Sequence, residues 1–326
     1  MVRRFASPGL RPGERDGAGR YCEPMRAEQV PEWFTQALNH QPEVGQVEVS
    51  GCPIAFRRWG DPSRPGLLLV HGGGANSRWW DHVAPFFARE CRVTAIDLSG
   101  HGDSGRRASY THDVWAEEIA VLAGASAGSS QPPVVLAHSL GGLATFRAAA
   151  LYGDRFEGVI VIDSPVHEEP PEQVASRRRE AFGPLRTYLT PEEALSHFRT
   201  VPDQPVLLPY VVDHVARNSI RPANGGWTWK FDPAFFSDLA QIGAETLGAI
   251  GCRVAVLRAE HGLVTPDVGR HMYQLLGRTA PVIEIPLAYH HVMLDQPLLL
   301  VTAVLALLAD WRHSYAIQVP AASEGW

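Results

Sequence analysis

The chain has 326 residues, 45% of them hydrophobic, and a net charge of −6 at pH 7. That is enough apolar material for a sizeable core, with none of the basic excess that a nucleic-acid partner demands. The cysteines Cys22, Cys52, Cys91 and Cys252 lie far apart without a C-x-x-C pair, which fits free thiols in a reducing, cytoplasmic setting rather than disulfides or a cysteine-held metal.

Taken in chain order, residues 1–28 are rich in Gly, Pro and Arg and lack the apolar run of an export signal. They are expected to form an irregular extension without a catalytic role. "QVEVS" and "PIAFRRW" follow as two antiparallel strands at a sheet edge. Six short apolar runs come next, at 66–71, 92–97, 133–138, 158–163, 253–258 and 281–286. Their lack of alternation marks strands buried on both faces. Helical segments fit between most of them, at 78–88, 113–124, 140–152, 266–276 and 297–311. The apolar part of the last, 298–309, is too short to cross a bilayer. Strands alternating with helices predict a mostly parallel, twisted eight-stranded sheet with helices on both faces. One interval, between 163 and 253, holds no buried-strand run and is too long for a crossover. An inserted helical cap over 165–245, splitting a core of 29–164 and 246–326, accounts for it.

Chemistry concentrates at three places. "VLAHSLGGL" puts Ser139 between a buried strand and a helix that opens on small residues. That is the setting of a nucleophile elbow, although Ala137 replaces the first glycine of Gly-x-Ser-x-Gly. The other reading of Ser139 is a helix-capping serine before two glycines. "HGGG" at 71–74 ends a strand before a helix, where glycines let the backbone approach a substrate. The amides of Gly73 and Leu140 are the candidate oxyanion donors. "AYHHVMLDQP" at 288–297 follows the last strand and offers two histidines, His290 and His291, as general base. No metal cluster or phosphate-binding loop is read, so no cofactor and no metal is expected.

In this order, HGGG, "DLSGHGDSG" at 97–105, "AHSLGG" and "HHVMLDQP" resemble the α/β-hydrolase superfamily. The likeness covers roughly residues 45–315 and points to the capped group that includes dehalogenases, epoxide hydrolases, esterases and C–C bond hydrolases. The resemblance implies that His290, seven residues before Pro297, is the base, that His291 packs or lines the site, and that Asp97 and Asp103 are structural. Members of the superfamily usually carry the triad acid in the loop after the penultimate strand. Here that loop reads "RAEHGLVTPD", with Gly262 and Leu263 at the expected positions and Glu260 and Asp267 out of place. Asp163, at the end of the strand after the nucleophile helix, is the favoured acid and Glu260 the alternative.

The expected function is cleavage of a carboxylic ester, thioester or lactone through an acyl-enzyme. The alternatives are C–C hydrolysis, lysis or acyl transfer by the same triad, and a ligand receptor without turnover. Trp79, Trp80, Trp227, Trp229, Phe231, Phe235 and Phe236 suit a small apolar or aromatic substrate or pin the cap to the core. Arg177–Arg179 reads as a solvated face or a contact for an anionic substrate. Neither a nucleic acid nor a membrane is an expected partner, and the oligomeric state stays open.

Overall fold

A computed structural model describes residues 30–126, 131–167, 185–236 and 239–314. The expected N-terminal extension, Cys22 and the Arg177–Arg179 run lie outside them.

The chain opens on a helix that the sequence reading leaves unassigned, α1 (Glu32–Asn39), then forms the hairpin β1 (Glu43–Val49) and β2 (Cys52–Trp59). The buried runs become β3 (Gly66–Val70), β4 (Arg92–Ile96), β5 (Val134–His138), β6 (Gly158–Ile162), β9 (Arg253–His261) and β10 (Val282–Tyr289). They join in the order β1-β2-β4-β3-β5-β6-β9-β10. β1 and β2 pair antiparallel, as does β2 with β4, and the remaining neighbours pair parallel.

Because side chains alternate across a strand, each parallel strand feeds two cores. Leu67 and Leu69 of β3 face one side with Trp80, Phe87, Leu300 and Leu308. Leu68 and Val70 face the other with Trp115, Ile119, Phe146 and Met272. The first side is covered by α2 (Ala84–Phe87) and the last helix, α10 (Pro297–His313). The second is covered by α3 (His112–Ser126), α4 (Leu140–Tyr152) and α8 (Pro266–Leu275). The connection after β3 therefore leaves toward one face and the one after β5 toward the opposite face. Between their carboxyl ends opens the crevice in which sheets of this kind bind ligands.

The helix expected at 78–88 is broken into a 3₁₀ turn, Ser77–Trp80, and the single turn of α2. Asn76 caps the first by accepting the Arg78 amide, and Pro85, which has no N–H, prevents one continuous helix.

The insertion is only partly helical. Its described portion has α5 (Pro191–Ser196), α6 (Pro209–Arg217) and an antiparallel hairpin of β7 (Ile220–Ala223) and β8 (Gly226–Trp229). A 3₁₀ turn, Pro233–Phe236, and α7 (Ala244–Gly248) follow, and α7 packs on α4 of the core. The insertion is stitched to the 97–105 loop. The Gly102 amide donates to Lys230 O (2.7 Å), the Asp232 amide donates to Gly100 O (2.7 Å), and His101 bridges Phe231. Lys230 also pairs with Asp103 at 2.7 Å. α9 (Val292–Asp295) lies between β10 and α10.

Candidate active site

Ser139 sits at the carboxyl end of β5 with φ 52° and ψ −122°. A non-glycine residue held in that region stores roughly 1–3 kcal/mol of backbone strain. The turn holds because its neighbours are small. A Cβ on Gly141 would strike His71 O, and one on Gly142 would strike Ser164 Oγ. Ala137 lies two residues earlier within β5, paired with Val70 and Val161 and fully buried among apolar groups. The methyl that spoils the motif is core packing.

The structure brings Ser139, His290 and Asp163 together. Ser139 Oγ is 2.9 Å from His290 Nε2, and His290 Nδ1 is 2.8 Å from Asp163 Oδ2. With Nδ1–H donating to the carboxylate, Nε2 keeps its lone pair and accepts the Ser139 O–H.

Asp163, also at positive φ (44°), is fully buried. Burial disfavours its charge, but the His290 hydrogen bond and charge and the amides of Leu263 and Val264 outweigh it, holding the carboxyl below its usual value. Oδ2 accepts from Leu263 N (2.7 Å), and Oδ1 accepts from Val264 N (3.1 Å) and Ala259 N (3.3 Å). The loop that lacks an acid at the usual positions thus wraps this one in its own amides. Gly262 permits the approach, since a Cβ there would strike the Asp163 carboxylate.

Glu260 is elsewhere. It is partly exposed, accepts the Leu287 amide at 2.7 Å and lies near His261, not His290. Asp267 pairs with Arg270 on the exposed face of α8. Asp97 accepts the amides of Ser77 (2.6 Å) and Asp103 (2.8 Å), bracing two loops.

Gly73 and Leu140 line the cavity that opens above Ser139, and neither amide donates to a carbonyl among the described residues. Leu140 opens α4, so it has no acceptor within the helix. His71, to which the sequence reading gives no role, orients the other amide. Its Nε2 accepts from Leu98 N (3.1 Å), so its Nδ1–H donates to Gly72 O (2.7 Å). In a trans peptide the following N–H, that of Gly73, points the opposite way.

His138 is also missed by sequence reasoning. It donates Nε2–H to His290 O at 2.9 Å, and burial followed by the nearby His290 pulls its pKa down to about 3. His291 lies with its ring 4.7 Å from that of His290 and 5.6 Å from Trp79. Its amide donates to Gln204 of the insertion at 2.9 Å. Burial, then the two neighbouring histidines, push its pKa well down. One ring nitrogen from each of His138, His290 and His291 lies within 4.8 Å of the other two, the only such group of three possible metal ligands among the described residues.

Above Ser139 is a cavity of about 250 Å³, walled by Trp79, Leu143, Pro202, Phe236, Ile242 and Leu263. Of the aromatics singled out by sequence, Trp79 and Phe236 reach it. Trp229 and Phe231 line an adjoining cavity that shares Gly73, Trp79, Val201 and His291. Trp80 and Phe235 are fully buried, and Trp227 pairs with Tyr188 within the insertion.

A model of the alpha/beta hydrolase family matches residues 67–304. Esterase Rv0045c of Mycobacterium tuberculosis is 27% identical over 278 residues, covering 82% of this chain and 89% of that protein. Protein phosphatase methylesterase 1 of Mus musculus is 36% identical over 159 residues, 46% of this chain and 41% of its own length. Among solved structures, E-2-(acetamidomethylene)succinate hydrolase superposes with a TM-score of 0.72 at 20% identity. That match covers 82% of this chain and 100% of that one and bears on the fold alone.

Proposed function

Since the chain belongs to the alpha/beta hydrolase family, we propose that it is a serine hydrolase that cleaves a small apolar or aromatic carboxylic ester through an acyl-enzyme. The observation that carries this reading is the buried hydrogen-bonded chain Ser139–His290–Asp163 beneath an apolar cavity. The esterase and the methylesterase among the relatives support ester as the substrate class.

In this mechanism His290 Nε2 takes the Ser139 proton as Oγ attacks the ester carbonyl. The carbonyl oxygen becomes an oxyanion and accepts from the Gly73 and Leu140 amides, which are fixed before the charge develops. His290, now an imidazolium steadied by Asp163, gives its proton to the departing alkoxide. Water then repeats the sequence on the acyl-enzyme, releasing the acid and restoring Ser139.

We place the protein in the cytoplasm, in keeping with free thiols at Cys52, Cys91 and Cys252. None of its described helices is long and apolar enough to cross a membrane.

A fluorophosphonate probe tests the nucleophile. It should label the folded protein at Ser139, and Ser139→Ala should abolish both labelling and p-nitrophenyl ester turnover. Folded protein that resists the probe would refute the hydrolase and favour a receptor. Labelling without release of acid from a panel of esters would point to C–C cleavage, lysis or acyl transfer by the same three residues.

A further inference from the structure

We propose that the peptide bond joining His290 to His291 is held in a clamp, with one jaw in the sheet, His138, and the other in the insertion, Gln204, and that this clamp sets the reach of the base to Ser139. Both jaws are positioning residues, and their effect on catalysis rests on the hydrolase reading above.

The two contacts fall on a single peptide unit. His290 O accepts from His138 Nε2–H at 2.9 Å, and the His291 amide donates to Gln204 Oε1 at 2.9 Å. The unit is trans, so its C=O and N–H point in opposite directions. It is therefore gripped from both sides, which fixes the rotation of its plane and leaves the His290 Cα–Cβ bond one direction. Other ties on the loop lie further along. His82 Nε2–H donates to Met293 O (2.7 Å), and the Leu208 amide donates to Leu294 O (2.9 Å). The tolerance is small. Ser139 Oγ is 2.9 Å from His290 Nε2, direct proton transfer needs about 2.6–3.2 Å, and a misplacement of about 1 Å costs on the order of a hundredfold in rate.

Each jaw suits the task. His138 ends β5 immediately before Ser139, so nucleophile and base are referenced to the same strand end. Burial brings its pKa down to about 3, so it donates as a neutral ring and adds no second positive charge beside the imidazolium. Gln204 is buried in the irregular stretch between α5 and α6. Its Nε2 donates to Val206 O at 3.0 Å while Oε1 takes the His291 amide, so the two partners together fix which way the side-chain amide points. Val201 and Pro202, just before it, wall the cavity above Ser139. One short segment of the insertion thus touches both the substrate space and the loop that carries the base. The base is aligned only while that segment is seated.

Fluorophosphonate titration counts competent sites, and rates taken per site exclude any effect of incomplete folding. Gln204→Met and Gln204→Ala should each react with the probe and turn over ester about tenfold to a hundredfold more slowly per site. The loss should be severalfold larger for an ethyl ester than for a p-nitrophenyl ester, because ethoxide needs the proton that His290 returns and p-nitrophenolate does not. Gln204→Glu keeps an acceptor for the His291 amide and should lie closer to the parent than Gln204→Met does. His138→Leu should show the same signature. Combined with Gln204→Met, it should lose much less than the product of the two single losses, since either change alone frees the same peptide. In the proton NMR spectrum, the far-downfield Nδ1–H resonance of the His290–Asp163 bond should broaden or move in Gln204→Met, a readout that needs no turnover. Parental per-site rates in both Gln204 variants, or equal losses on the two esters, would overturn the clamp. If the parent itself resists the probe, the hydrolase reading falls and the Nδ1–H resonance alone decides the clamp.

Discussion

Replacing Asp163 with asparagine should nearly silence the enzyme, and the arrangement of donors around the carboxylate says why. Oδ1 accepts from Ala259 and Val264, and Oδ2 accepts from Leu263 and His290. An asparagine NH₂ at the Oδ1 position meets two amide N–H groups with no relief. At the Oδ2 position it meets one amide and an imidazole that can change tautomer. That second arrangement is the less costly, and it leaves His290 with a proton on Nε2, facing Ser139 and unable to accept another. The expected loss in kcat/KM is about a thousand- to ten-thousandfold, equivalent to about 4–5.5 kcal/mol of transition-state stabilisation. The unpaired Leu263 amide adds about 1–3 kcal/mol of lost stability, which thermal unfolding reads separately. Gly262→Ala should mimic the defect, since its methyl enters the space of the carboxylate. Glu260→Gln keeps an oxygen for the Leu287 amide and should leave turnover within about twofold. The assay is p-nitrophenyl ester hydrolysis under kcat/KM conditions with folded fractions matched. Asp163→Asn within tenfold of the parent, or a larger loss in Glu260→Gln, would refute the assignment of the acid.

Three further outcomes are expected. Glu118 is fully buried, accepts from Ser99 N (2.9 Å) and pairs with Arg107 at 3.0 Å. Arg107→Met strands that carboxylate and should cost about 3–5 kcal/mol in denaturant unfolding; a change under 1 kcal/mol would show that Ser99 and water suffice. Burial raises the Asp295 pKa to about 7, against the Tyr289 amide that it accepts at 2.6 Å. A raised acid pKa means that the folded state holds the proton more tightly, so this stabilisation is lost as pH rises from about 4 to about 7. Asp295→Asn should therefore raise the unfolding free energy more at pH 8 than at pH 5, by roughly 1–2 kcal/mol after solvent screening; an equal gain at both values would contradict the assignment. His138 and His82 titrate near pH 3 and pH 4 because burial disfavours their charged forms. The unfolded chain takes up those protons first, so stability should fall steadily as pH drops from about 6.5 toward 4. His82→Gln, which keeps a donor for Met293 O at the site of a 2.7 Å contact, should flatten that fall.

The parallel strands were legible because strands buried on both faces leave unbroken apolar runs such as Leu67–Val70, a signal that needs no partner to interpret. Helix α4 was legible to the residue because the Ser139 turn and Gly153 bracket it. Helix α1 escaped although Trp33, Phe34, Ala37 and Leu38 recur at helical spacing, because its eight residues stand alone before the strand–helix alternation and dock Phe34 on a core built mainly by distant residues. The hairpin within the insertion escaped too, since four-residue strands carrying Pro222 and Gly226 show no period.

The candidate site divides along the same line. Ser139 and His290 follow from local motifs that the backbone itself enforces. Asp163 is marked only by its place at a strand end, and what holds it is the amide cradle of a loop one hundred residues away. His71 and His138 act through backbone carbonyls, which no side-chain motif records.

The stitching of the insertion to the 97–105 loop bears on how such an enzyme can be rebuilt. Gly100, Gly102 and Asp103 form a socket, and Lys230, Phe231 and Asp232 are the plug that enters it. A chimera that imports a relative's insertion while keeping this socket would leave the new lid without its edge contacts. Plug and socket have to be transplanted as a pair for a borrowed specificity to arrive seated over Ser139.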